Sequence, residues 1–144
     1  MANQAERVFH DVVLGDLSII RAFVRETAVS FGCVSSEIDE FVVAVDEAAA
    51  NIIRHGYKGQ PGIIKITVLY TGDTFKVMLC DQSAQFDPTT VASPDMTLPL
   101  AERPFGGMGV HIMREFCDDV SYRRTANGEN ELTLLKRVKI RNEG

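Results

Sequence analysis

Residues 46–57 read DEAAANIIRHGY and set Glu47 and Asn51 four residues apart in a stretch otherwise rich in alanine and isoleucine. On a helix that spacing stacks the two side chains one turn apart, about 5–6 Å between Cβ atoms, so both can address one ligand. A carboxylate there can take a proton from an attacking hydroxyl or water. An asparagine oxygen is a hard neutral donor of the kind Mg²⁺ accepts when waters and phosphates complete its shell. The same pair equally suits the solvated side of an amphipathic helix, and the spacing alone does not choose. Two further stretches carry chemistry. DQSAQFDP, residues 81–88, sets Asp81 just past an apolar strand, where its carboxylate can accept a hydrogen bond from an exocyclic amine; an ordinary strand-ending turn accounts for it as well. GGMGVHIM, residues 106–113, has Gly106, Gly107 and Gly109 at a helix start. Bare backbone amides and the positive helix end favour phosphate there, though glycine-rich turns also serve flexibility. This stretch is neither a Walker loop, since no Gly-Lys-Ser/Thr follows, nor the Gly-x-Gly-x-x-Gly of a dinucleotide fold.

Apolar periodicity supplies the elements that must position these groups. Val8–Val13 predicts a short first strand. Leu17, Ile20, Val24, Ala28 and Phe31 then mark a helix with Asp16 as its N-cap. Ser35-Ser36 opens a second helix, in which Ile38, Phe41, Val42, Val45, Ala48, Ala49, Ile52 and Ile53 recur at threes and fours until Gly56 ends it. Ile64, Ile66, Val68 and Tyr70 alternate, Thr71-Gly72-Asp73 turns, and Phe75, Val77 and Leu79 alternate again, which is a β-hairpin ending at Asp81. From Asp87 to Arg103 the pattern fails, with Pro88, Pro94 and Pro99 interrupting any helix. Long irregular segments of this kind inside a domain are either disordered or active-site lids. A short helix through Val110, Ile112, Met113 and Phe116 follows, and Val120, Tyr122, the turn at Ala126-Asn127-Gly128 and Leu132–Leu135 predict a closing hairpin. The expected architecture is an α+β two-layer sandwich: a mostly antiparallel mixed sheet with helices on one face, formed by a single domain over residues 1–144.

Bulk properties narrow the function. Lys and Arg total 15 against 20 Asp and Glu, a net charge of −5 that disfavours a general electrostatic grip on nucleic acid or anionic lipid. Cys33, Cys80 and Cys117 are odd in number and form no C-x-x-C pair, which fits reduced thiols used in packing. MANQAERVFHDV lacks the apolar run of a signal peptide, and no stretch approaches the ~20 apolar residues of a membrane span. The expected location is cytoplasmic.

Taken in order, the three motifs resemble those of the histidine-kinase-like ATPase (GHKL) superfamily, and within it the small anti-sigma-factor serine/threonine kinases. DEAAANIIRHGY is similar to that family's asparagine box and DQSAQFDP to its first glycine box, Asp-x-Gly-x-x-Phe-Asp. GGMGVHIMREFCDDVSY is similar to the second glycine box with its following strand, and NGENELTLLKR to the closing hairpin. The resemblance covers most of the chain. It implies Asn51 on the Mg²⁺ of an ATP, Glu47 as general base, Asp81 on the adenine amine, Gly106, Gly107 and Gly109 around the phosphates, and Thr133 near adenine. His55, one turn beyond Asn51, serves either a phosphate-side contact or packing. Residues 87–105 would be the ATP lid. One position departs from the pattern: Ser83 stands where the first glycine box has its glycine, and Gln85 where many members have a second. If the backbone at Ser83 needs a positive φ, serine costs about 1–2 kcal/mol and its side chain crowds the adenine site.

The resemblance implies an ATP- and Mg²⁺-dependent serine/threonine kinase that holds a transcription regulator such as a sigma factor and phosphorylates a small antagonist protein. A homodimer is the form the family implies. The alternative is a non-catalytic module of the same fold acting by sequestration. A stand-alone ATPase or the core of a two-component sensor is a third reading, and the lack of a phosphoacceptor-histidine dimerisation helix opposes the sensor.

Overall fold

The computed structural model describes residues 3–33, 36–84, 87–88 and 107–138. These form five strands, β1 (Asn3–Val12), β2 (Gly62–Thr71), β3 (Thr74–Asp81), β4 (Asp119–Arg124) and β5 (Asn130–Arg137). The three helices are α1 (Leu17–Ser30), α2 (Ser36–Asn51) and α3 (Gly107–Phe116). The sheet order is β1-β2-β3-β5-β4, and each neighbouring pair is antiparallel. The mixed sheet expected from the sequence is therefore wholly antiparallel among the described residues. Two hairpins, β2–β3 and β4–β5, need no parallel crossover.

The alternation read in β2, β3 and β5 selects the core face. Ile64, Ile66, Val68, Phe75, Val77, Leu79, Leu132 and Leu134 are buried beneath the helices. Phe41 of α2 meets Phe75 edge-on at 5.5 Å between ring centroids, and Phe23 of α1 meets Phe9 of β1 at 5.8 Å. Such pairs add about 0.5–1.5 kcal/mol beyond their burial. α2 packs against both α1 and α3, which is why its apolar positions occupy more than one stripe. Arg21 Nη1 and Asp46 Oδ1, 2.7 Å apart, tie α1 to α2.

Four local expectations are corrected. β1 begins at Asn3 rather than Val8, because the backbone of β2 pairs Asn3 through Phe9 with Tyr70 through Ile64 whatever their side chains. Its register shifts between Phe9 and Val12, where Asp11 adopts a φ of 53°. Asp16 stands at the N-cap position of α1, yet its carboxylate accepts the Val13 amide at 3.0 Å and closes the 3₁₀ turn Leu14–Asp16 ahead of the helix. The second helix is α-helical only to Asn51 and continues as a π-turn over Ile52–Gly56. The last helix starts at Gly107, so Gly107 and Gly109 belong to its first turn instead of preceding it. The three cysteines are free, two of them buried. Among the described residues no helix is long and apolar enough to cross a membrane.

Candidate functional site

The C-terminal end of α2 faces the exit of β3 across a cleft. Ala48, Asn51, Ile52 and Gly56 form the helix wall. Asp81, Ser83, Asn130 and Leu132 form the sheet wall, and Tyr122 and Pro88 complete the lining. An apolar lining with a few convergent polar groups is the usual make-up of a small-molecule site.

On the helix wall, Asn51 is 3 % exposed, and its Nδ2 is the one buried side-chain nitrogen or oxygen without a hydrogen-bond partner among the described residues. An unsatisfied buried amide costs about 1–3 kcal/mol, which a ligand in the cleft would recover. A flip of the amide exchanges its nitrogen and oxygen in nearly the same space, so the position can offer an oxygen donor to a metal. No three His, Cys, Asp or Glu side chains gather among the described residues. A divalent ion here would draw on Asn51 and on ligand phosphate oxygens, a donor set that suits Mg²⁺. Glu47 lies one turn earlier on α2 and is half-buried. Burial, and then the charge of Asp46, raise its carboxyl above the ordinary range, while Arg54 draws it back. Of the two carboxylates in the motif, Asp46 is committed to Arg21, and Glu47 makes no hydrogen bond to a described residue.

On the sheet wall, Asp81 Oδ1 accepts the Ser83 amide at 2.9 Å, the Ser83 hydroxyl, and Asn130 Nδ2 at 3.0 Å. Tyr122 and Arg124 donate to Asn130 Oδ1, fixing that amide in turn. Three donors occupy one carboxylate oxygen, Oδ2 bonds to no described residue, and Asp81 itself lines the cleft. Of the two possibilities open for Ser83, the unstrained one holds: among the described non-glycine residues only Asp11 and Lys58 have a positive φ. The residue sits in an ordinary backbone conformation, turned by its own bonds to Asp81. Ser83 does line the cleft and is 7 % exposed.

A family model described as "Histidine kinase-like ATPase domain" matches residues 13–136. The chain belongs to that family. Within this histidine kinase-like ATPase family it is 36% identical over 93 residues to the serine/threonine-protein kinase BtrW of Bordetella bronchiseptica, spanning 64% of this chain and 65% of BtrW. It is 26% identical over 133 residues to the serine-protein kinase RsbW of Bacillus cereus strain Q1, spanning 89% of this chain and 83% of RsbW. The fold is similar to the crystal structure of the RsbU and RsbW domains of Rv1364c from Mycobacterium tuberculosis. That match has a TM-score of 0.64 at 17% identity and covers 94% of this chain and 32% of that one.

The histidine kinase-like ATPase fold does not gather every residue expected at the site. Thr133 alternates with the buried Asn130, Leu132 and Leu134 and so lies on the opposite face of β5; Leu132 is the residue that reaches the cleft. A strand's period of two makes a one-residue difference decisive. His55 is half-buried in the π-turn, where Ile52 and Gly56, not His55, line the cleft. Gly107 and Gly109 open α3, whereas Gly106 and most of the expected lid, residues 89–105, lie outside the described residues. Sequence reasoning missed Asn130. Its signal was a polar side chain at the inward parity of Leu132 and Leu134.

Proposed function

We propose that the chain binds ATP with Mg²⁺ in this cleft and acts as an anti-sigma-type serine/threonine protein kinase. The observation that carries the reading is Asn51, a buried residue of the cleft lining whose amide nitrogen has no hydrogen-bond partner among the described residues, with Glu47 one turn away on α2. Asn51 would hold the metal, which supplies charge neutralisation on the phosphates when bound. Asp81 would accept the adenine amine through Oδ2, and the first-turn amides of α3 at Gly107 and Gly109 would face phosphate. Glu47 takes the proton of an incoming serine or threonine hydroxyl as its oxygen attacks the γ-phosphorus, and the bond from that phosphorus to the ADP oxygen breaks. Burial raises this carboxyl above its ordinary range, the direction that strengthens it as a base.

The names of BtrW and RsbW support kinase activity, and the resemblance noted above supports the partners. The chain would act in the cytoplasm, hold a sigma factor or similar transcription regulator, and phosphorylate a small antagonist protein. A homodimer is the form proposed. A purely sequestering module is favoured by one observation only, Ser83 in the cleft lining. Incubation of the pure protein with γ-labelled ATP, Mg²⁺ and candidate antagonist proteins tests the proposal. Label on an antagonist serine or threonine is expected; tight regulator binding with no transfer would leave sequestration.

A further inference from the structure

Beyond the π-turn that follows Asn51, Tyr57 reaches across to the sheet wall of the cleft. Its hydroxyl donates to the Ile63 carbonyl at 2.6 Å and accepts the Gln82 amide at 2.9 Å. β2 and β3 pair Ile64 with Asp81, so Ile63 and Gln82 come next along the ladder. Bonded and non-bonded pairs alternate in an antiparallel ladder. Counting from Thr71 and Thr74, which close the two-residue loop, Ile63 and Gln82 fall on a bonded pair. The phenol therefore stands where a direct bond from the Gln82 amide to the Ile63 carbonyl would lie. It parts the strands at the point where β3 leaves the sheet, immediately after Asp81.

Two glycines make room for this arrangement. A Cβ on Gly62 would come within 2.5 Å of three carbons of the Tyr57 ring, so the ring lies flat on that backbone. A Cβ on Gly56 would come within 2.5 Å of Ser83 Oγ. Gly56, the last residue of the π-turn, and Tyr57, the residue after it, thus meet the consecutive residues Ser83 and Gln82, and the helix wall is clasped to the turn that presents Asp81. Burial foremost raises the phenol above its ordinary range, the direction that keeps it a donor to Ile63.

We propose that Tyr57 is a positioning residue: it sets the direction in which Asp81 offers Oδ2 to a purine amine, and so part of the preference for adenine. The proposal rests on the ATP reading above. Tyr57→Phe keeps the ring on Gly62 and deletes only the oxygen. The strands then either close on a direct bond or admit water, and both move the Asp81–Ser83 turn.

The test compares ATP with inosine triphosphate, whose base carries a carbonyl in place of the amine, by calorimetry with Mg²⁺ on the full chain and on Tyr57→Phe. Backbone amide exchange at Gln82 is measured in parallel. The ATP-to-inosine-triphosphate affinity ratio is expected to fall roughly three- to tenfold in the variant, the range for one hydrogen bond. Inosine triphosphate binding should hold steady, and exchange should change at Gln82, faster if water enters and slower if the strands close, without spreading through β3. An equal loss for both nucleotides would make Tyr57 a merely structural residue and overturn the proposal, as would an unchanged ratio. If the wild-type chain bound neither nucleotide, the ATP reading would fall and the role in base recognition with it; the Gln82 exchange would then report on the clasp alone.

Discussion

A Cβ placed on Gly56 would stand 2.5 Å from Ser83 Oγ and 3.1 Å from Ser83 Cβ. The serine that replaces a glycine in the first glycine box thus occupies space that the helix wall leaves by having no side chain at residue 56. Its hydroxyl cannot rotate away freely, because it is bonded to Asp81 Oδ1. The two walls of the cleft interlock at this pair.

Gly56→Ala should therefore destabilise the chain by about 1–3 kcal/mol, the usual cost of overpacking. In a Ser83→Gly background most of that cost should vanish. A double-mutant cycle from urea unfolding measures the coupling, expected within about 0.5–3 kcal/mol for residues in contact. Strictly additive effects would show that the turn at residue 83 moves aside without resistance.

Ser83→Gly alone should not tighten ATP binding, since there is no positive φ to relieve. The change removes the hydroxyl bond to Asp81 and loosens the unfolded chain, a loss of about 1 kcal/mol or somewhat more. ATP affinity should stay level or weaken as Asp81 loses a restraint. A melting curve and a calorimetric titration check both; tenfold tighter binding would mean that crowding of the base outweighs the restraint.

For Asn51→Ala the expectation is loss of Mg²⁺-dependent ATP binding with the melting temperature unchanged or raised. The side chain removed is a buried amide with no protein partner, so the apo fold gives up no hydrogen bond from Nδ2. Titrations with and without Mg²⁺ separate a ligand to the metal from a residue that only lines the cleft. Binding equal to wild type would assign the metal elsewhere.

Glu47→Gln should bind ATP nearly as well as the parent and transfer phosphate roughly 10²–10⁴ times more slowly, the range for a positioned general base. Single-turnover transfer to an antagonist protein reads this directly. Wild-type transfer would show that the hydroxyl needs no base from α2.

The pH profile follows from the same carboxyl. A base acts only when ionised, so transfer should rise with pH along a limb lying above the ordinary carboxylate value of 4.5, the direction that burial and Asp46 impose. The fold's preference for the neutral form also means that stability from this group is greatest below that limb and falls as pH rises through it. Arg54→Ala removes the charge that opposes the shift, and the limb should move to still higher pH. Arg54 is exposed, so added salt should shrink the displacement. A limb at lower pH in Arg54→Ala would contradict this sign.

Much of the fold was legible in the chain because the deciding physics is local. Helical periodicity set Glu47 and Asn51 one turn apart on α2, and strand alternation marked Ile64, Ile66 and Val68 for the core. The two-residue loop between β2 and β3 was readable from Gly72, which takes a φ of 62°. Other facts depended on partners distant in sequence. β1 extends to Asn3 because β2 offers an unpaired edge, which polar side chains do not announce. Leu132 rather than Thr133 reaches the cleft because the register of β5 against β3 fixes which parity faces the helices. The state of Ser83 was undecidable from a motif: whether a serine is strained depends on the donors and the space around it. Asp81, Asn130 and Gly56 come from three different elements and meet only once the sheet has closed. Local sequence determined which side chains could do chemistry; long-range register and close packing decided which of them share a cleft.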